Sequence, residues 1–406
     1  MDIDFDQKID HRGVNSIKWE FVIGKDGLRH WDLTDPEHGD DQVLPMWVAD
    51  MDFTAAEPIV DAVTRRAARG LYGYASKTDS YLSSVASWMQ RRKNWPVDVE
   101  WIVLTPGVVA ALHIIVRRFT APGDKILIQR PVYHPFTYAI STNDRQVVSS
   151  SLLLKGDRYE MDFADLERKA ADPEVKLAIL CSPHNPVGRV WSEDELTRYA
   201  SICSKNDVMV IADEIHSDLI MPGQQFFCYG RLDAQLTHNS VICTAPSKTF
   251  NVAGLQTSNI IVENSQLRDE LRAELRANGL YGTSPFGLVG TEAAYNEGEP
   301  WLEQVIAYIW DNLQYLDAFL KANVPNLKMI SIEGTYLAWI DCRELGLTGE
   351  ALDSLMMDQA KVYVDSGQKF GPEGEGFLRM NVACRRRTLE QALGRISQVV
   401  SALGTD

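Results

Sequence analysis

Six short apolar runs most constrain what this chain can fold into: Trp101–Leu104, Lys125–Gln129, Leu177–Cys181, Val208–Ala212, Val241–Thr244 and Asn259–Val262. Each is rich in Ile, Val and Leu, and most are unbroken rather than alternating, as strands buried on both faces are. Helical patterns separate several of them. Ser192–Ser204 opens on Ser192 as N-cap, with Glu195 at the capping-box position. Upstream, Glu57–Gly70 carries Pro58 in its first turn, and Ser80–Lys93 reads as a further helix. This alternation predicts an α/β fold with a mostly parallel central sheet and helices on both faces.

After about residue 290 the pattern changes. A long helix over Pro300–Ala322, a strand at Tyr336–Asp341, a helix at Gly349–Gln359 and a last helix over Thr388–Leu403 predict a smaller α+β C-terminal domain. The expected organisation is an N-terminal arm over 1–50, a large domain over 51–290 and a small domain over 291–406. Two anchoring tryptophans, Trp19 and Trp31, are expected to pack the arm onto the body, beside the small domain.

Composition narrows the function classes. A chain of 406 residues can bury a large core. Its net charge of −16 argues against nucleic acid and anionic membrane surfaces as partners. No apolar stretch approaches the ~20 residues a membrane span needs. The first residues, Met1-Asp2-Ile3-Asp4-Phe5-Asp6, lack the basic and apolar regions of a secretory signal. Six scattered cysteines, with no metal-ligand spacing, read as reduced buried thiols, so a cytoplasmic location and no bound metal are expected.

The chemistry is concentrated at the ends of the apolar runs, where an open parallel sheet places its ligands. Asn185 lies in Ser182-Pro183-His184-Asn185-Pro186-Val187-Gly188. Asp213 opens Asp213-Glu214-Ile215-His216, and Lys248 sits in Ala245-Pro246-Ser247-Lys248-Thr249-Phe250-Asn251. Taken singly, these residues read as an Asn-Pro turn, a helix-capping acid and an exposed lysine. Together and in this order they meet the needs of one cofactor, pyridoxal 5′-phosphate (PLP). It requires a lysine to bind it covalently, an acid to keep its ring nitrogen protonated and a donor to its phenolic oxygen.

Other residues complete the candidate site. Gly107, Val108 and Val109, in Thr105-Pro106-Gly107-Val108-Val109, follow a strand and open an apolar helix, whose free amides suit a phosphate. Ser247 can add a hydroxyl. Tyr133, in Arg130-Pro131-Val132-Tyr133-His134-Pro135-Phe136, is a candidate to stack on the cofactor ring, or else an ordinary core aromatic. Arg379, in Phe377-Leu378-Arg379-Met380-Asn381, is the choice for a substrate carboxylate, with Asn185 beside it. The run Arg385-Arg386-Arg387 reads as a solvated face before the last helix.

These motifs, with Pro45-Met46-Trp47-Val48-Ala49-Asp50-Met51-Asp52-Phe53 and Gly73-Tyr74, resemble fold-type-I PLP enzymes, the aspartate aminotransferase superfamily. Within it, Trp-Val-Ala-Asp-Met-Asp-Phe and Asp-Glu-Ile-His resemble the MalY/PatB subfamily of cystathionine β-lyase-type C–S lyases. The resemblance runs from about residue 40 to 385. It implies the PLP-dependent transferase-like fold and a homodimer with the active site at the subunit interface. Tyr74, or alternatively Tyr72, would reach the partner's cofactor phosphate, and Thr283-Ser284-Pro285 would line the neighbouring site. His216 would stand near the phenolic oxygen, where broader aminotransferases place a tyrosine; it reads equally as a structural histidine. One departure is clear: where many aminotransferases carry a phosphate-binding arginine, eight residues after the lysine, this chain has Gln256.

The resemblance implies α,β-elimination from L-cystathionine or a related S-substituted cysteine, giving a thiol, pyruvate and ammonia, with Lys248 as the catalytic base. Two alternatives stay open from the sequence. An aminotransferase shares every residue named above, and a PLP-binding regulatory protein with residual activity would keep the same fold.

Overall fold

The computed structural model describes residues 3–11, 13–24, 27–30 and 43–403. Seven strands form the main sheet: β1 (Ile102–Thr105), β2 (Lys125–Ile128), β3 (Gln146–Ser149), β4 (Val175–Cys181), β5 (Met209–Asp213), β6 (Ser240–Thr244) and β7 (Ser258–Ile261). Their spatial order is β1-β7-β6-β5-β4-β2-β3. Every pair is parallel except those made by β7, which runs antiparallel to β1 and β6. The residues of β4, β5 and β6 are buried except Lys176, which explains their unbroken apolar character.

The predicted runs match six of these strands to within two residues at each end. The seventh, β3, escaped detection. It is an edge strand whose residues are exposed or half-buried, so its sequence carries little apolar signal. The capping box forms as expected: Ser192 accepts from the Glu195 amide, and the Glu195 carboxylate accepts from the Ser192 amide.

A second sheet follows, built from β8 (Lys328–Met329), β9 (Leu337–Asp341), β10 (Asp365–Ser366) and β11 (Phe377–Asn381) in the order β8-β9-β11-β10, antiparallel throughout. Helices Glu299–Asn323 and Arg386–Ala402 accompany it, and their apolar residues share its core. The register sets Asp365 and Trp339 on either side of Arg379.

The chain before residue 50 reaches this second unit. Phe5 packs edge-on against Phe53 and Trp301. Leu44–Pro45 pairs in parallel with Val362–Tyr363. The buried ammonium of Lys18 lies 2.8 Å from the buried Asp52 carboxylate. Trp19 donates to the same carboxylate oxygen at 2.8 Å; Trp31 lies outside the described residues.

The arginine run departs from expectation. The last helix begins at Arg386, not Thr388. Arg386 donates to Asn312 Oδ1 and lies over the Tyr315 ring, while Arg385 donates to the Asp6 carbonyl. Arg387 is exposed, whereas Arg385 and Arg386 are half-buried and tie the N-terminal chain and the long helix together. All six cysteines are free and buried. No helix among the described residues is long and apolar enough to cross a membrane.

Candidate active site

The sheet order brings the key loops side by side. Neighbouring strands β4, β5 and β6 end at Cys181, Asp213 and Thr244, and the chain leaving them carries Asn185, Asp213 and Lys248. Strand β1, separated from β6 by β7, ends just before Gly107. These residues line one cavity of about 190 Å³, together with Val108, Val109, Tyr133, His216 and Ser247.

Asp213 lies on the cavity floor, paired in register with Cys181 on one side and Cys243 on the other. It accepts the Ile215 amide at 3.2 Å. Burial pushes its carboxyl up to about 7, against the Ile215 hydrogen bond and the charge of Lys248. His216 is also buried, and its Nδ1 has no hydrogen-bond partner among the described residues. Burial, with the charges of Lys248 and Arg379, pulls its imidazole down to about 3, so it is neutral near pH 7.

Lys248 lies on the short helix Pro246–Thr249, and its side chain is 18% exposed. Its Nζ donates to the Ala49 carbonyl at 2.7 Å and sits 3.8 Å from Asp50. Burial pulls its ammonium below the usual lysine range, Asp50 opposes this, and Arg379 adds to it.

Asn185 and Arg379 form a second part of the site. Arg379 NH1 donates to Asn185 Oδ1 at 3.1 Å, and NH2 donates to the Trp47 carbonyl at 2.8 Å. NH2 also pairs with Asp365. Arginine has no acceptor, so Asn185 must turn its oxygen toward it, which directs the amide NH₂ elsewhere. Arg379 does not line the cavity itself; it stands one side chain behind Asn185.

The opposite wall is the turn from β1 into the helix Val108–Phe119. Gly107 occupies φ +156°, which side chains rarely adopt, and leads into helix amides with no acceptor inside the helix. Gln256 and Thr257 close this wall, and Thr283 donates to the Gln256 carbonyl at 2.9 Å. Lys248 is the only Lys or Arg among the lining residues. Tyr74 is fully exposed and takes no part in its own chain's cavity.

Sequence reasoning gave no role to the segment Trp47–Phe53. Its backbone is stitched into the site: Asn381 donates to the carbonyls of Val48 and Asp50, Tyr336 to that of Ala49, and Asn251 to those of Met51 and Phe53. The polar residues that hold it lie up to 333 positions away, so only the motif itself could have flagged it.

The family model for aminotransferase class I and II matches residues 45–396. The chain therefore belongs to that family. It is 41% identical to cystathionine beta-lyase PatB of Bacillus subtilis (strain 168), across 98% of this chain and 100% of the relative. Protein MalY of Escherichia coli (strain K12) is 32% identical, across 98% and 99%. The crystal structure of cystalysin from Treponema denticola, which contains a pyridoxal 5′-phosphate cofactor, superposes with a TM-score of 0.93 at 37% identity, covering 99% of this chain and 100% of that one.

Proposed function

We propose that this chain is a PLP-dependent carbon–sulfur β-lyase that cleaves L-cystathionine or a related S-substituted cysteine to a thiol, pyruvate and ammonia. The observation that carries the reading is the cavity that joins Lys248, Asp213 and Asn185, with Arg379 fixing the Asn185 amide from behind. The His216 Nδ1 on its wall, unpartnered among the described residues, and the burial of Asp213, only partly offset by Ile215 and Lys248, mark a place that a polar ligand completes. When bound, PLP supplies a carbonyl carbon for covalent attachment and a ring that withdraws electrons from the substrate's Cα.

The chain's own residues then divide the work. Lys248 would hold the cofactor until the substrate's amine takes its place; its lowered pKa favours the neutral amine, which then takes the Cα proton and can pass it to the leaving sulfur. Asp213 holds a proton at the ring nitrogen. Asn185 donates its NH₂ to the phenolic oxygen, with His216 beside it, and Tyr133 covers the ring face. The amides of Val108 and Val109 and the Ser247 hydroxyl receive the phosphate. Arg379, with Asn185, grips the substrate carboxylate.

The same reading divides the chain into an arm over 1–50, a large domain over 51–290 and a small domain over 291–406. The dimer belongs to the same reading. Leu71, Tyr72, Tyr74 and Tyr281 are large, exposed and apolar or aromatic, which suits a covering partner that receives Tyr74 at its own phosphate site. Six buried thiols suit a reducing, cytoplasmic setting.

Product analysis with L-cystathionine tests the reading. Pyruvate, ammonia and free thiol formed without an amino acceptor support it. Glutamate formed only when 2-oxoglutarate is added would make the enzyme an aminotransferase instead.

A further inference from the structure

A second cavity, of about 240 Å³, lies in the C-terminal unit. Its walls include Met356, Tyr363 and Val364, and its polar residues are Asp353, Ser366 and Lys369. The helix Gly349–Ser354 widens into a π-turn over Leu355–Gln359, which supplies Met356. Such turns recur at binding sites because they open the backbone ladder.

This cavity abuts the residues that would hold a substrate carboxylate. Lys369 Nζ donates to Asp365 Oδ1 at 2.7 Å, and Asp365 Oδ2 pairs with Arg379. The two cations are thus separated by the width of one carboxylate. Lys369 also lies 5.7 Å from the ring centre of Trp47, whose carbonyl accepts from Arg379. Asp353 is half-buried, and burial holds its carboxyl above the usual range against a hydrogen bond with Ser366 and the charge of Lys369. A base and an acid within electrostatic reach of each other, beside apolar walls, describe a receptor for a zwitterion with an aliphatic or thioether tail.

We propose that this cavity binds an α-amino-acid head group, Lys369 taking its carboxylate and Asp353 its ammonium. The occupant has two possible sources: the distal half of a two-headed substrate such as cystathionine, or a free amino acid. The inference rests on the lyase reading and extends it to what lies beyond the sulfur.

The test compares L-cystathionine, which has two heads, with β-chloro-L-alanine, which has one, using the PLP-loaded protein. Failure of the unaltered enzyme to eliminate from β-chloro-L-alanine counts against the lyase reading alone. For Lys369→Met and Asp353→Asn, the ratio of kcat/KM for cystathionine to that for β-chloro-L-alanine should fall by about tenfold or more, because a charge-assisted contact is lost for one substrate only. Using the ratio cancels any general damage to Arg379 or to folding. If free L-methionine instead modulates β-chloro-L-alanine turnover, and Lys369→Met abolishes that effect, the occupant is a free amino acid. A ratio within about twofold of the unaltered enzyme in both variants, with no methionine effect, overturns the proposal.

Discussion

Lys248 and Tyr336 donate to the same acceptor, the Ala49 carbonyl, each at 2.7 Å. Lys248 comes from the short helix after β6 and Tyr336 from the segment entering β9, so a single backbone oxygen joins both units at the candidate catalytic lysine.

Lys248→Ala should abolish covalent cofactor attachment and lower elimination by about a thousandfold or more, since the variant loses both tether and base. The visible absorbance after dialysis and the pyruvate yield report the two losses separately. A coloured and active variant would remove Lys248 from the mechanism.

Arg379→Ala should raise KM for the amino-acid substrate by about tenfold or more while the protein stays coloured. Steady-state kinetics with L-cystathionine provide the check, and an unchanged KM would free Arg379 from carboxylate binding.

Asp213 gives a pH signature in the cofactor-free protein. Its folded carboxyl keeps a proton up to about pH 7, while the unfolded chain releases it near the ordinary aspartate value of 3.8. Between those limits the folded state binds more protons, so stability falls as pH rises from about 4 to about 7 and then levels off. Asp213→Asn removes that slope. The variant should match the parent's Tm near pH 4 and exceed it at pH 8. A gap that fails to widen across this range contradicts the assignment. With PLP bound, the same variant should lose about a hundredfold or more in kcat, because the ring nitrogen loses its counter-charge.

The proposed dimer with shared sites predicts complementation. Tyr74→Ala should weaken cofactor retention. Hybrids of a Tyr74→Ala subunit with a Lys248→Ala subunit rebuild one native site from two defective chains. Random mixing should then restore about a quarter of the original activity, since half the dimers are hybrids with one intact site. Mixtures as inactive as the separate variants would place Tyr74 outside the partner's site.

Glu333 offers a stability test. It accepts from Arg189 Nε and from the Val190 amide, at 2.9 and 2.8 Å, and from Arg158 at 2.9 Å. Arg189 is fully buried and retains Glu195 as a second partner. Glu333→Ala should cost about 2–4 kcal/mol, at the lower end of what breaking a buried pair costs because Glu195 remains. Because these contacts brace the turn that carries Asn185, substrate KM should rise as Tm falls. Gly188 in that turn has φ +71°, and a Cβ there would come within 2.8 Å of Ile332, so Gly188→Ala should reproduce both effects.

Much of this was legible in the chain. The central strands were readable because burial on both faces leaves a continuous apolar run, and Asn185, Asp213 and Lys248 follow directly from where those runs stop. The hairpin Leu153–Lys155 and Arg158–Glu160 was not, since only Tyr159 in it is fully buried. Nor was the reversed direction of β7: apolar runs have no polarity, and Asn259–Val262 would read the same either way. Arg379 was visible as a candidate, but its partner Asp365 was not, because the two meet only through the register of β10 on β11.

The stitching of Trp47–Phe53 bears on how the protein is made. This segment leaves the ribosome early, yet the side chains that seat it, Asn251, Tyr336, Arg379 and Asn381, emerge much later. A chain synthesised only through the main sheet already contains the Ala49 carbonyl that receives Lys248 but lacks Tyr336 and Asn381, which help to seat that segment. Competence for chemistry therefore arrives in the last stage of synthesis, when residues near 380 reach back and lock the start of the chain in place.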